Sequence, residues 1–168
     1  MPFWPWYLPF LSAYETSQTS SDSKKRIWAK SYLNKKAPEL VVEKWLTDIP
    51  DTKGKFVLID FWATWCGPCK QAIPKLNKYQ KAFKNDLIVI GLSGETETKI
   101  NKMESPVIEY YSAIDTKERL ELKYEIKGIP HCVLIDPQGI VRWEGYPDLD
   151  GFKLTSKVIE DIIKKFKQ

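Results

Sequence analysis

The sequence predicts an α/β fold, a mixed central β-sheet flanked by helices and preceded by an N-terminal extension. Two apolar runs of strand length, "KFVLIDFWA" (55–63) and "DLIVIGLSG" (86–94), have the unbroken hydrophobicity of strands covered on both faces. Between them, from Pro68 to Phe83, the residues Ala72, Ile73, Leu76, Tyr79 and Phe83 fall on one helical stripe. Strands joined through a helix run parallel, with a right-handed crossover. Downstream, "HCVLID" and "GIVRWEGY" flank Asp136-Pro137-Gln138-Gly139, with proline and glycine where a hairpin turn needs them. The hairpin adds an antiparallel pair, so the sheet is mixed.

The remaining elements follow in chain order. The 168 residues suffice for one domain with appendages. Met1 to Leu11 is aromatic and apolar, is broken by Pro2, Pro5 and Pro9, and lacks the basic residues that precede a signal-peptide core. It reads either as a signal or anchor remnant or as a tail, and no apolar run reaches the roughly 18 residues of a bilayer span. Ser17 to Ser23 is a serine-rich linker. Residues 1–23 therefore stand apart from a domain over 24–168, made of an extension (24–54) and a core (55–168). Asp22 to Asn34, with Ile27, Trp28, Tyr32 and Leu33 among charges, is expected to form a short helix. "APELVVEKWL" (37–46) reads as a strand or hairpin arm, and "ETETKINKM" (95–103) as a short helix. Pro74 should kink the helix that contains it. "RLELKYEIKGIP" (119–130) fits two patterns. Leu120, Leu122, Tyr124 and Ile126 alternate like a strand, whereas the spacing of Leu120 and Tyr124, with Asp115 and Thr116 ahead, suits a helix over about 116–124. The helix is predicted. The chain closes on a helix from Gly151 to Phe166 whose buried face carries Phe152, Val158, Ile159, Ile162, Ile163 and Phe166.

Charge narrows the function. The net charge is +4, and acidic residues are interleaved with the lysines through most of the chain. No basic stripe interrupted by aromatics would track a phosphate backbone, so nucleic acid is not an expected partner.

The three cysteines are too few for a disulfide scaffold, yet two of them stand together in "FWATWCGPCK". Cys66 falls where the strand ends and the helix begins. Helix N-termini present unpaired N–H groups and partial positive charge, which favour a thiolate over a thiol. Pro68 suits a first turn that has no use for its missing N–H, and Gly67 removes a side chain that would crowd an incoming sulfur. Cys69 faces the same way and can close a disulfide with Cys66. That arrangement performs thiol–disulfide exchange: Cys66 attacks a partner disulfide, and Cys69 resolves the mixed disulfide. A zinc site would need a second ligand pair, and the only candidates, His131 and Cys132, are adjacent on a strand and point to opposite sides. No metal or cofactor is expected. A purely structural bridge closing so short a loop would contribute little stability. Asp60, a carboxylate inside a buried strand, is expensive unless it works or is paired. Desolvation should raise its pKa, making it a candidate proton acceptor for Cys69; the alternative is an aspartate hydrogen-bonded at the strand edge.

From about Lys55 to the C-terminus the chain resembles thioredoxin, most specifically at Trp62, Trp65, Cys66, Gly67, Pro68, Cys69 and Lys70. The resemblance implies that Pro130 of "GIP" is cis and faces the disulfide. It also implies that Trp65, Ile129 and Pro130 border a groove where a substrate chain docks, with backbone pairing at Ile129 and Gly145 flanking. Asp60 matches the family's buried aspartate. The lysine that thioredoxins keep near it on the next strand is absent; Gly91 stands there. The N-terminal extension and the insertion "INKMESPVIEYYSAIDTKERL", with "APELVVEKWL" and "LIDPQGIV", resemble the TlpA/ResA-like group of bacterial cell-envelope thiol–disulfide oxidoreductases. His131 is either structural or a modest tuner of the Cys66 thiolate, and Cys132 is taken as a small buried apolar residue.

The resemblance implies a protein disulfide reductase, since Gly-Pro between the cysteines resembles the reducing members. Its partners would be disulfide-containing protein substrates and an upstream thiol electron donor. A monomer is expected, in the bacterial cell envelope or periplasm, with the cytoplasm as alternative and with membrane association through the N-terminal aromatic segment. Two other functions fit the fold: a peroxiredoxin-like thiol peroxidase, and a non-catalytic chaperone or docking module.

Overall fold

The structure, a computed structural model, describes residues 27–167. The N-terminal aromatic segment, the serine-rich linker and the start of the helix expected over 22–34 lie outside the described residues. Six strands form one sheet: β1 (Lys44–Trp45), β2 (Phe56–Phe61), β3 (Leu87–Ser93), β4 (Tyr111–Ile114), β5 (His131–Ile135) and β6 (Val141–Gly145). Their order is β1-β4-β3-β2-β5-β6. β2, β3 and β4 run parallel, while β5, β6 and β1 are each antiparallel to their neighbours. Among the described residues four helices accompany them: α1 (Gly67–Ala82), α2 (Glu97–Asn101), α3 (Arg119–Lys123) and α4 (Ser156–Phe166).

Strand alternation sorts the core into two layers. Phe56, Leu58 and Trp62 of β2 and its end pack with Cys69, Ile73 and Leu76 of α1 and with Ile159 and Ile163 of α4. Ile59 and Phe61 point the other way, onto Leu120, Tyr124 and the half-buried Tyr32, Leu40 and Val42. α1, α2 and α4 thus cover one face of the sheet. α3 and the extension cover the other.

Several expectations need correction. From Ile27 to Lys36 the chain is not helical. Its backbone is drawn out by partners elsewhere: Lys30 N–H donates to Tyr124 O (2.7 Å), Lys127 N–H to Trp28 O (2.7 Å) and Asn34 N–H to Val141 O (2.8 Å). Glu144 of β6 accepts from Tyr32 N–H (2.9 Å) and from the Ser31 hydroxyl, and Asn34 adopts a left-handed φ of 59° that would end any helix. Of "APELVVEKWL", Lys44 and Trp45 are strand, paired with Ile114 and Ala113 of β4. β4 itself lies within the insertion, where no strand was expected; its four residues are too few to show an alternation. Phe152 precedes α4 instead of lying on it, and is 37% exposed.

In the ambiguous 119–130 segment, Arg119–Lys123 is helical, starting three residues later than the expected 116–124 because Glu118 takes a left-handed φ of 51°, and no strand forms. Asp115 accepts from Arg119 N–H (2.8 Å) and pairs with its guanidinium, anchoring the first turn. The β5–β6 turn is built on Asp136, whose buried carboxylate accepts from Gln138 N–H (2.9 Å), Ile140 N–H (2.9 Å) and Arg142 Nε (2.7 Å).

Candidate active site

β2 runs out at Phe61, and the next five residues carry the chain from sheet to helix. Cys66 N–H donates to Ala63 O (3.1 Å), tightening the turn. Thr64 is held by Glu95 at both ends: its N–H donates to Oε2 (2.6 Å) and its hydroxyl to Oε1 (2.8 Å). Glu95 belongs to the loop after β3, so the β2 and β3 ends fix the approach to Cys66 together.

Cys66 is the N-cap of α1, with extended backbone (φ −88°, ψ 104°), and Cys69 N–H points at its sulfur from 3.2 Å. A first-turn amide aimed at Sγ, at the positive end of a 16-residue helix, is the environment that stabilises a thiolate. The two cysteines form a disulfide with Cα atoms 5.2 Å apart. Their accessibilities differ: Cys66 is 4% exposed and Cys69 0%, so an incoming sulfur meets Cys66 first.

Around the pair, Trp65, Gly67 and Pro68 are exposed. A side chain at Gly67 would meet nothing within 4 Å, so that flank is open. The Ile129–Pro130 peptide is cis, and Ile129 O lies 3.7 Å from Cys66 Sγ. Gly145 ends β6 opposite Cys132, at a φ of 138° that favours glycine. Of the resemblance-derived residues, Ile129 thus reaches Cys66 through its carbonyl, Pro130 follows it across the cis peptide, and Trp65 directly precedes Cys66.

A cavity of about 370 Å³ opens beside Pro68, walled by Trp28, Gly128, Ile129, Pro130, Tyr146 and Leu149. Trp28 comes from the extension and stands over Gly128, where even a Cβ would fall 3.0 Å from its ring. On the opposite flank, Lys70, Lys99 and Lys102 surround Thr64 in a more polar hollow. Trp28, Tyr146 and Glu95 escaped the sequence reading, because no local pattern distinguishes a side chain that reaches the site from a distant segment.

Asp60 is wholly buried on the β2 face that it shares with Leu58 and Trp62, toward α1. Burial pushes its pKa up to about 7; contacts from Cys132 and Tyr110 work the other way. Cys132 Sγ donates to Asp60 Oδ1 (3.4 Å), and burial together with that carboxylate keeps the thiol protonated. Cys132 is thus a polar partner of Asp60 and not merely an apolar filler. His131 is 2% exposed, and burial lowers its pKa to about 4. Burial thus favours its neutral imidazole, a form with no positive charge to offer Cys66. Among the described residues no group of three or more His, Cys, Asp or Glu side chains is arranged to hold a metal ion.

Residues 33–144 match the model of the AhpC/TSA family. The chain belongs to that family. Among its relatives, the thiol-disulfide oxidoreductase ResA of Bacillus cereus is 33% identical over 118 residues, 67% of this chain and 68% of that protein. ResA of Bacillus subtilis is 34% identical over 97 residues, covering 56% of this chain and 54% of the relative, so the match spans about half the length of that protein. Among solved structures, a Chlorobium tepidum protein assigned as thiol:disulfide interchange protein DsbE superposes with a TM-score of 0.66 at 27% identity, covering 82% of this chain and 99% of that one. The fold is thioredoxin-like.

Proposed function

We propose that this protein is a thiol–disulfide oxidoreductase, working as a protein disulfide reductase through Cys66 and Cys69. The observation that carries the reading is the placement of Cys66: an N-cap sulfur facing a helix amide, slightly exposed while its partner is fully buried. The reduced Cys66 thiolate attacks a substrate disulfide and releases one substrate thiolate. Asp60 takes the proton from Cys69, whose thiolate then attacks Cys66; the substrate leaves as its second thiolate and the internal bridge closes. Two electrons pass to the substrate, and an upstream thiol donor restores the dithiol. Trp65, Gly67, Pro68, Ile129, Pro130 and Gly145 border the groove for the substrate chain, and the relatives' names, thiol-disulfide oxidoreductase and interchange protein, support the same chemistry.

The wider reading is a monomeric domain over residues 24–168 in the bacterial cell envelope, with membrane association through residues 1–23; the TlpA/ResA-like character supports it. Among the described residues no helix is long and apolar enough to cross a membrane. A peroxidase would want a free threonine and an arginine beside the attacking sulfur. Among the described residues, the Thr64 hydroxyl is held by Glu95, and Arg119 and Arg142 are engaged by Asp115 and Asp136.

The test is turnover of a disulfide-bonded protein with dithiothreitol as donor. The wild type should accelerate reduction, Cys66→Ser should abolish it, and Cys69→Ser should accumulate a mixed disulfide. Activity retained in Cys66→Ser points to a docking module. Peroxide consumption without any disulfide substrate points to a peroxidase. The equilibrium reduction potential should lie near thioredoxin's value of about −270 mV; one near the about −120 mV of a strong oxidant of this fold would reverse the direction.

A further inference from the structure

Three buried polar atoms without a hydrogen-bonding partner among the described residues belong to one neighbourhood: Asp60 Oδ2, Trp62 Nε1 and Tyr110 Oη. Gly91 explains how they meet. It pairs with Asp60 across the β2–β3 register, and a Cβ there would stand 3.1 Å from Trp62 Nε1 and 3.1 Å from Tyr110 Cε2. Both rings therefore close over the glycine, in space that any side chain on β3 would occupy. Tyr110, immediately before β4, is 4% exposed. So large a hydroxyl-bearing ring buried against a carboxyl calls for a reason, since burial strips water from a hydroxyl that then needs a partner in the protein.

We propose that Tyr110 is a positioning residue for the Asp60 carboxyl, its hydroxyl reaching across Gly91 to steady the anion that receives the proton of Cys69. The proposal rests on the reading of Asp60 as that proton acceptor. Donation from Tyr110 Oη to Oδ2 is strongest when Asp60 is charged, so the tyrosine favours the form that can accept a proton. Of the other groups around Asp60, Trp62 Nε1 is a second unengaged donor, and the rest are committed to other partners. Cys132, from β5, already donates to Oδ1. Tyr79, from α1, donates to Leu154 O (2.6 Å). Lys75 of α1 and Asp148, beyond β6, pair with each other and act on Cys132 with opposite signs. Burial and the Asp60 charge both hold the Tyr110 hydroxyl in its protonated, donating form.

The experiment follows the Asp60 carboxyl by carbon-13 NMR in the oxidised full-length protein, where Cys66 and Cys69 do not titrate. Asp60→Asn identifies the signal and separates it from Glu121, which burial and neighbouring acids also raise to about 7. In Tyr110→Phe the midpoint should rise by about half to one pH unit. Incorporating 3-fluorotyrosine at position 110, a stronger donor of nearly the same size, should lower it. Resolution of the mixed disulfide in Tyr110→Phe should be about two- to fivefold slower at pH 7, and should rejoin the wild type above about pH 9 as Asp60 ionises in both. An Asp60 midpoint unmoved by both substitutions overturns the proposal. Midpoints that move as expected, with Asp60→Asn resolving as fast as the wild type, would preserve the contact and remove the proton-transfer role on which the proposal rests.

Discussion

At the residue scale, burial makes Cys66 and Cys69 unequal and makes Asp60 costly. An acid held at about 7 in the folded protein, against 3.8 ordinarily, binds more protons folded than unfolded throughout that interval. Stability attributable to it is therefore fullest below pH 4 and declines as pH rises to about 7, a loss of roughly 4 kcal/mol once both states are ionised. Asp60→Asn should accordingly be more stable than the wild type at pH 8, with the difference shrinking toward pH 4, as measured by denaturant unfolding of the oxidised protein. A constant difference across that range would contradict the assignment. Cys66, Cys69 and Asp60 were legible in the sequence because their signals are local: a two-residue spacer between thiols, and a charge inside an apolar run. Tyr110, Glu95 and Trp28 were not. Each matters only through a neighbour brought close by the fold, and Tyr110 is visible only once the register sets Gly91 beside Asp60.

Elements with long apolar runs were equally plain from sequence. β2, β3, α1 and the β5–β6 hairpin stand where "KFVLIDFWA", "DLIVIGLSG" and the Asp-Pro-Gln-Gly turn put them. β4 and the extended 27–36 segment were missed because tertiary partners specify them: β4 by β3 and β1 on either side, the extension by β6 and the loop after α3. The hairpin offers the sharpest test at this scale. Asp136 satisfies two turn amides and the Arg142 guanidinium from a side chain with no exposed surface. Asp136→Ala should cost about 3 kcal/mol or more, since it strands a partly buried cation and two N–H groups. Chemical denaturation would register it as a lowered midpoint, whereas a loss under about 1 kcal/mol would mean that the turn holds without its carboxylate.

Across the whole molecule, the extension ties one face of the sheet to the rim of the site. Glu144 grips Ser31 and Tyr32, and a few residues earlier Trp28 walls the cavity beside Ile129 and Pro130. Trp28 belongs to neither the disulfide nor its helix. Trp28→Ala should therefore lower kcat/KM several-fold for protein substrates that place an apolar side chain beside the reacting cysteine, with the reduction potential unchanged. A shifted potential, or equal loss on a small-molecule disulfide, would mean that Trp28 acts through the dithiol and not through the groove. Exchange turns on the ionisation of Cys66, and the most direct measurement of it is the pH dependence of Cys66 alkylation in the reduced protein. A midpoint well below the ~8.5 of a free cysteine is predicted. A midpoint at or above that value would contradict the exchange mechanism.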